Sequence, residues 1–473
     1  MIDIRNLTLL GKIVVIKSLA IPKFTFALTS LYISDSLISE INKSNFNFLW
    51  SDKPDKIKRD VITRDFALGG LKMTDFSMYV KSIKLTWLTK LYESDIRQTW
   101  HSVLEDTLNV NLKYFLTSPF QLSDIPTDMP LFYRQILCFA SKRKIESPNH
   151  VNDILRQNLF YNRFITINGK SIFFKRWYRN GFKVISDILT ESFEIRTFDD
   201  LQNSFNSPIN FLEYNKLKKA IPTSWLNTLQ ENVIEPNLSL SLESFDESLL
   251  DLSSDSEITT IDDIPPSIID PECFYKKSKM FYIELLSENN ESHPTGPSSL
   301  AKDLKCEVSN IFDSFCNSRQ ISKSSKIICM QYKICHKIVA CNQYLHQTKI
   351  RANDLCEKCK GKDTIEHFFF QCIDTTSFWN KLTTWYDSKT QRNTVLTSKK
   401  IILGCDPADA TLAHIILYGK WYIYRCKMAN SPIIFKSFLE YAKSQCRIEK
   451  FSVLLNNSKN ANKNFNMYWK LFI

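Results

Sequence analysis

From Leu9 to Ala20 the apolar residues Leu9, Ile13, Ile16 and Ala20 recur at three- and four-residue spacing, which lines them along one face of a helix. Lys12 and Lys17 fall off that face, and Pro22 is expected to end the element because it lacks an N–H and crowds the preceding turn. A second helix is predicted over residues 34–50, with Leu37, Ile38, Ile41, Phe48 and Leu49 as its apolar side, and helical spacing returns over residues 76–92. Between them lie the basic connector Lys53-Pro54-Asp55-Lys56-Ile57-Lys58-Arg59 and the pair Gly69-Gly70, which signals a turn with unusual backbone angles.

Residues 131–225 mix helical patterns with one hairpin-like piece, Phe164-Ile165-Thr166-Ile167-Asn168-Gly169-Lys170-Ser171-Ile172-Phe173, whose apolar/polar alternation flanks an Asn-Gly turn. Residues 235–299 are rich in Ser, Asp, Glu and Pro, and are expected to be an acidic, disordered linker without a core of their own. Beyond them Ile327, Gln331, Ile334 and Ile338 restore a helical period, and a last helix is expected around residues 415–424. The chain thus reads as mainly α. Its predicted segments are a helical region over 1–92, a helical connecting domain over 93–234, the linker over 235–299 and a C-terminal domain over 300–473. No internal repeat is visible.

Composition sharpens this picture in three ways. A chain of 473 residues with 44% hydrophobic content can bury two or three cores, and 9 glycines are few for the turns of a sandwich or barrel. The net charge of +11 is uneven: residues 220–275 hold twelve Asp or Glu and no Lys or Arg, leaving 61 basic against 38 acidic residues elsewhere, or +23. A surplus of that size points to a polyanionic partner, nucleic acid before membrane. Thirteen cysteines, scattered singly between Cys138 and Cys446, fit a reducing, intracellular compartment better than a disulfide scaffold. Lys12 and Lys17 interrupt the apolar run near the N-terminus, so neither a signal sequence nor a membrane partner is expected.

The sharpest chemical signal is Cys356-x2-Cys359-x7-His367-x4-Cys372, four soft or borderline ligands within 17 residues at a spacing that suits one tetrahedral Zn²⁺. With every position filled by protein the ion would be structural, since hydrolytic sites keep one position open for water. Asp363 and Glu366 are read as a capping box for a helix carrying His367, which should end near Gln371 so that Cys372 can fold back to the metal. Lys358, Lys360 and Lys362 are expected to offset the net negative charge of three thiolates and a zinc ion. Phe368, Phe369, Phe370, Phe378 and Trp379 are read as a small core beside it, and His414 as a satisfied core histidine. A second metal at Cys335, His336 and Cys341 is not expected from their spacing.

Several motifs occur in one order along the chain. They begin with Arg5-Asn6-Leu7-Thr8-Leu9-Leu10-Gly11-Lys12-Ile13 and Ile16-Lys17-Ser18-Leu19-Ala20-Ile21-Pro22-Lys23, and continue through Phe48-Leu49-Trp50, Lys56-Ile57-Lys58-Arg59 and Gly69-Gly70-Leu71-Lys72-Met73-Thr74-Asp75-Phe76. Ile365-Glu366-His367-Phe368-Phe369-Phe370-Gln371-Cys372, Phe378-Trp379, Ile402-Leu403-Gly404 and Lys420-Trp421-Tyr422-Ile423-Tyr424-Arg425-Cys426-Lys427 follow. In this order they resemble the C-terminal portion of LINE-type, non-LTR retrotransposon reverse transcriptases, from the start of the thumb through the zinc-binding domain. The resemblance implies a nucleic-acid-binding part of an RNA-directed DNA polymerase that grips template RNA and target DNA in nucleus and cytoplasm, with the missing palm as a further partner. Lys12, Lys17, Lys23, Lys56, Lys58 and Arg59 are the expected phosphate contacts.

The family's polymerase box, an aromatic, any residue and two aspartates, has no counterpart. Phe198-Asp199-Asp200 lacks the intervening residue and reads as a helix cap, while Ile261-Asp262-Asp263 lies in the acidic stretch. Without carboxylates to hold two Mg²⁺ ions, no polymerase activity is expected of this chain alone. It reads as a truncated copy or a gene-model fragment. Two other readings are a zinc-stabilised protein-interaction module docking through Trp50, Trp87 and Trp421, and an inactive remnant.

Overall fold

Helices dominate, as the spacing of apolar residues dictates, in a computed structural model that describes residues 7–92, 99–108, 112–143, 145, 147–204, 208–231, 277–287, 294–404, 409–456 and 459–472. Arg5, Asn6, Ile261-Asp262-Asp263 and residues 235–276 of the expected linker lie outside the described residues. The hairpin forms where alternation and Asn-Gly place it: Thr166–Ile167 pairs antiparallel with Lys170–Ser171, with φ of 52° at Asn168 and 75° at Gly169. The chain divides into two units, Met1–Phe24 with Ser36–Phe76 and Leu286–Ile473, and Thr25–Asp35 with Ser77–Leu285. Neither is contiguous, whereas the sequence patterns cut the chain into consecutive segments.

The first unit is organised by two helices that are apolar nearly all round. Ser325–Cys335 buries Ile327, Ile328, Cys329, Met330, Gln331, Tyr332, Ile334 and Cys335, and Ala410–Met428 buries every residue from Leu412 to Lys420. Such helices belong inside a fold. Leu9–Val15 and Val308–Ile321 pack on the first, and Phe435–Asn456 with Lys459–Tyr468 on the second. One polar network crosses this interior: Lys420, fully buried, donates from Nζ to Gln331 Oε1 at 2.5 Å and to the Ile402 carbonyl at 3.0 Å. Gln331 Nε2 donates in turn to Ser314 Oγ and to Ile402 O, and the Ser314 hydroxyl donates to Leu403 O. These bonds satisfy the last carbonyls of helix Ser398–Leu403, which a helix end leaves without intrahelical partners. They also explain why Ile402-Leu403-Gly404 and Lys420, distant in sequence, belong to one structure.

Gly69 and Gly70 make a second close approach. Gly69, at φ 76°, offers its carbonyl to Tyr332 Oη at 3.3 Å and His336 Nε2 at 2.8 Å, and a Cβ on Gly70 would stand 2.1 Å from the Arg64 carbonyl oxygen. His414 sits in a box of Tyr418, Tyr468 and Trp469 rings, at centroid distances of 4.7, 5.4 and 4.5 Å. It is a core residue as expected. Its buried ring nitrogens make no well-formed hydrogen bond among the described residues, although the Tyr468 backbone acts on the ring against the effect of burial.

Among the described residues, the second unit has two cores. One gathers Trp177, Trp225, Leu159, Ile165 and Leu229 around the hairpin, and the other gathers Leu88, Leu104, Leu116, Ile136 and Phe281. Lys84, fully buried, donates to the Leu31 carbonyl and lies 4.2 Å from the Phe132 ring centroid, and burial pushes its pKa down to about 8. Thr197 and Asp200 exchange side-chain to backbone bonds at the start of helix Phe198–Ser204, so within Phe198-Asp199-Asp200 it is Asp200 that serves the helix cap, with Thr197 as its partner.

Three expectations are corrected. Pro22 does not end its helix: Leu9–Val15 runs through a π turn, Ile16–Ala20, into Ile21–Ser30. The widened turn, with Ile21 N–H bonded to Ile16 O, absorbs the place where proline breaks the ladder. The resulting 22-residue run is long and apolar enough to cross a membrane by length and composition; only 22% of its apolar window is buried, and it lies near the N-terminus, where signal sequences pass the same test. Helix Asp35–Trp50 keeps most of its expected face, with Ile38 and Leu49 buried and Ile41 and Phe48 half-buried, but Leu37 is exposed and Asn45, Phe46 and Trp50 join the buried side. The linker is too long as drawn. Ser278–Ser287 and Thr295–Asp303 are helices, the first anchored by Phe281 and by Glu284 bonded to Arg143 at 3.1 Å, the second by Pro297, Leu300 and Ala301.

Candidate metal centre and basic surface

The metal-ligand spacing folds as a knuckle followed by a short helix. Leu355 and Lys362 bridge antiparallel, Cys356 N–H bonds Gly361 O at 2.8 Å, and Lys360 takes a left-handed conformation at φ 58° to close the turn. Cys356 and Cys359 are thereby carried on one tight loop. His367–Gln371 is a π turn, and Cys372 N–H bonds His367 O at 3.0 Å. At 100° per residue, a five-residue spacing would set His367 and Cys372 on different sides of an α-helix, so the wider turn is what brings them to one point. The turn stops at Gln371, as expected, and Cys372 turns extended to become the N-cap of helix Ile373–Thr390.

Carbonyls freed where this turn ends are taken by side chains. Lys427 Nζ donates to Phe368 O at 2.8 Å, Trp379 Nε1 to Phe369 O at 2.6 Å, and the Thr375 and Thr376 hydroxyls to Phe370 O. Phe368, Phe369, Phe378 and Trp379 are buried, so they form the core beside the knuckle and not a stacking surface.

The four ligand atoms lie within 4.8 Å of one another. Cys356 Sγ and Cys359 Sγ each stand 3.9 Å from Cys372 Sγ, against about 3.8 Å for the sulfur–sulfur edge of a tetrahedron with zinc–sulfur bonds of roughly 2.3 Å. His367 Nε2 is 2.9 Å from Cys359 Sγ and faces the same point. Its Nδ1 is 3.0 Å from Asp363 Oδ1, the carboxylate–histidine arrangement that fixes which ring nitrogen meets a metal. The cluster can therefore hold a metal ion.

Asp363 departs from its expected role. Its carboxylate does not box a helix with Glu366; it accepts from His367 and, through Oδ2, from Asn342 N–H at 2.9 Å, while Thr364 Oγ1 receives His367 N–H at 3.1 Å. The charge balance differs as well. Lys362 is drawn to Asp354 at 3.6 Å, and the cation that acts on Cys372 is Lys427. Burial raises the Cys372 thiol to about 11 against that pull. Burial also acts to raise Cys359, but its hydrogen bonds to His367, the Ile373 N–H, Cys356 and Cys372 outweigh it and bring it down to about 7. A thiol poised near neutrality beside a histidine is ready to ligate. Among the described residues Cys335, His336 and Cys341 form no such group.

The expected phosphate contacts fare unequally. Lys12 is turned inward: burial lowers its pKa, and its Nζ donates to the carbonyls of Phe48 at 2.9 Å and Leu49 at 3.4 Å, capping helix Asp35–Trp50. It is withdrawn as a contact. Arg59 is committed to Asp55 at 2.7 Å and lies over the Phe46 ring at 4.8 Å. Lys17, Lys23, Lys56 and Lys58 are exposed. Burial and Lys72 lower the Lys17 pKa; burial, Lys333 and Lys53 lower that of Lys56. Lys53, Lys56, Lys58 and Lys333 make no ion pair among the described residues, and Lys53 and Lys333 were not singled out from the sequence.

The tryptophans proposed for docking are engaged internally. Trp50 is buried, Trp87 donates to Thr29 O at 2.8 Å amid Trp100, Phe132 and Tyr133, and Trp421 stacks on Tyr424 at 5.7 Å. No family model matches the chain, and no curated protein matches it.

Proposed function

We propose that this chain is a zinc-organised helical module that binds RNA and DNA through their phosphates, serving as the thumb-to-zinc portion of a LINE-type reverse transcriptase whose palm lies elsewhere. Zn²⁺ suits a Cys₃His donor set with two sulfur–sulfur edges of 3.9 Å and all four ligand atoms within 4.8 Å, and four protein ligands leave no open position for hydrolytic chemistry. Cys356, Cys359, His367 and Cys372 would hold the ion, and Asp363 would orient His367. Its task is to tie the knuckle to helix Ile373–Thr390. Nucleic acid in nucleus and cytoplasm is the substrate that the motif order favours.

The observation that carries the binding half is the set of exposed or half-buried lysines without carboxylate partners, Lys53, Lys56, Lys58 and Lys333, in a chain that holds +23 outside its acidic stretch. Lysine-to-phosphate contacts give affinity with little sequence choice and a steep loss with salt, about 0.7–0.9 in the log–log slope per neutralised phosphate. Titrating a labelled single strand and a duplex at several salt concentrations tests it. Binding that weakens steeply with salt is expected, and salt-independent or undetectable binding at low salt overturns the reading.

A further inference from the structure

The segment Asp55–Val61 borders a cleft of about 360 Å³, closed on its other sides by Pro294, Thr295 and Gly296 and by His336. Its charges are one-sided. Asp55 is spent on Arg59, and His336, which contributes a neutral ring, bonds Gly69 O through Nε2, with burial holding its pKa down to about 4. Lys56 and Lys58 line the cleft without ion pairs among the described residues, and Lys53 and Lys333 are close enough to depress the Lys56 ammonium beyond what burial does. Like charges held together without counter-ions are self-repelling, and a bound anion relieves that repulsion. The helix Thr295–Asp303 starts at this wall with no side-chain cap, so its first N–H groups add to the positive field.

One aromatic ring stands beside these lysines. Lys56 Nζ lies 5.9 Å from the Tyr344 ring centroid, and Tyr344 is half-buried on helix Asn342–Gln347, whose first residue is bonded to Asp363. A phosphate drawn to Lys56 would lift the ammonium off the ring, leaving the Tyr344 face to the base of the same nucleotide. We propose that this cleft and the surface beside it are a seat for single-stranded polynucleotide, with Lys56 and Lys58 in the cleft and Lys333 next to Lys56 receiving phosphates and Tyr344 stacking on a base. The inference rests on the nucleic-acid reading and gives it a location; Lys12 and Arg59 are outside it.

The test uses the full chain, a fluorescein-labelled oligothymidylate and an abasic phosphodiester of the same length, titrated over a range of salt. Replacing Lys56, Lys58 and Lys333 together with Gln should lower the salt slope for both probes by about two, at roughly 0.7 per single-strand phosphate contact. Tyr344→Ala should weaken oligothymidylate binding by roughly fivefold or more while leaving the abasic probe unchanged, and Tyr344→Phe should keep wild-type affinity for both. Unaltered metal content and helicity in each variant show that the fold is intact. Wild-type-like binding by the folded lysine and Tyr344→Ala variants overturns the seat but leaves the nucleic-acid reading standing. Failure of the wild type to bind either probe overturns both.

Discussion

Asp363→Asn is the most informative small change at the metal centre, because it keeps the shape of the side chain and alters only what its oxygens can do. The carboxylate is buried, with 6% of the side chain exposed, and accepts two hydrogen bonds, from His367 Nδ1 at 3.0 Å and Asn342 N–H at 2.9 Å. An amide retains one acceptor. If that oxygen stays on His367, the new NH₂ faces the Asn342 N–H, donor against donor, and helix Asn342–Gln347 loses a bond at its first residue; the opposite flip frees the imidazole. Either way a charge-assisted bond is lost, and such outer partners of a ligating histidine typically contribute 10–100-fold to metal affinity, about 1.4–2.7 kcal/mol. Asp363→Ala removes both bonds and should fall at or beyond the upper end of that range. Competition with a chromophoric chelator measures the change, with one ion still bound per chain at saturation. Wild-type affinity in both variants would refute the orienting role of Asp363.

Two further outcomes follow from the interior. His414 is held neutral by burial, with a pKa of about 3 against 6.5 when free, so between those values the unfolded chain binds a proton that the folded chain excludes. Its contribution is complete above pH 6.5 and is lost as pH falls, by at most about 1.4 kcal/mol per pH unit; His414→Phe should flatten the urea midpoint's dependence on pH by one proton, and an unchanged slope would count against it. Gly70→Ala would place a Cβ 2.1 Å from a backbone oxygen, a clash that only main-chain movement can relieve, and should cost about 2 kcal/mol or more in a urea titration. A variant as stable as wild type would show that the turn yields freely.

What was legible in the sequence is what depends on neighbours along the chain. Leu9, Ile13 and Ile16 are buried as their spacing requires, the Asn168-Gly169 pair makes its hairpin, and four metal ligands within 17 residues fold to one point because two short turns suffice. What was missed depends on partners far away or on local geometry outside the common repertoire. Pro22 reads as a stop only if the preceding turn is α-helical, and here it is π. Lys12 and Arg59 display a charge in the sequence but not the helix end and the aspartate that occupy it. Lys427 and Trp379 reach the knuckle's carbonyls from other helices, and no local pattern marks them. Asp363, four residues before His367, did carry a signal, since a carboxylate in the loop just ahead of a short helix can reach a ring on its first turn. The linker's end was lost because Ser- and Pro-rich composition masked the few apolar anchors, Phe281 and Leu300, that order it.

Whether Cys356, Cys359, His367 and Cys372 hold one metal ion is decided most directly by elemental analysis of the purified full chain beside Cys359→Ser. One zinc per chain is expected in the wild type, and Cys359→Ser should lose it along with the local fold, since structural zinc in small domains is worth roughly 10–16 kcal/mol of apparent binding energy. Zinc absent from the folded wild type, or retained in full by Cys359→Ser, would contradict the assignment.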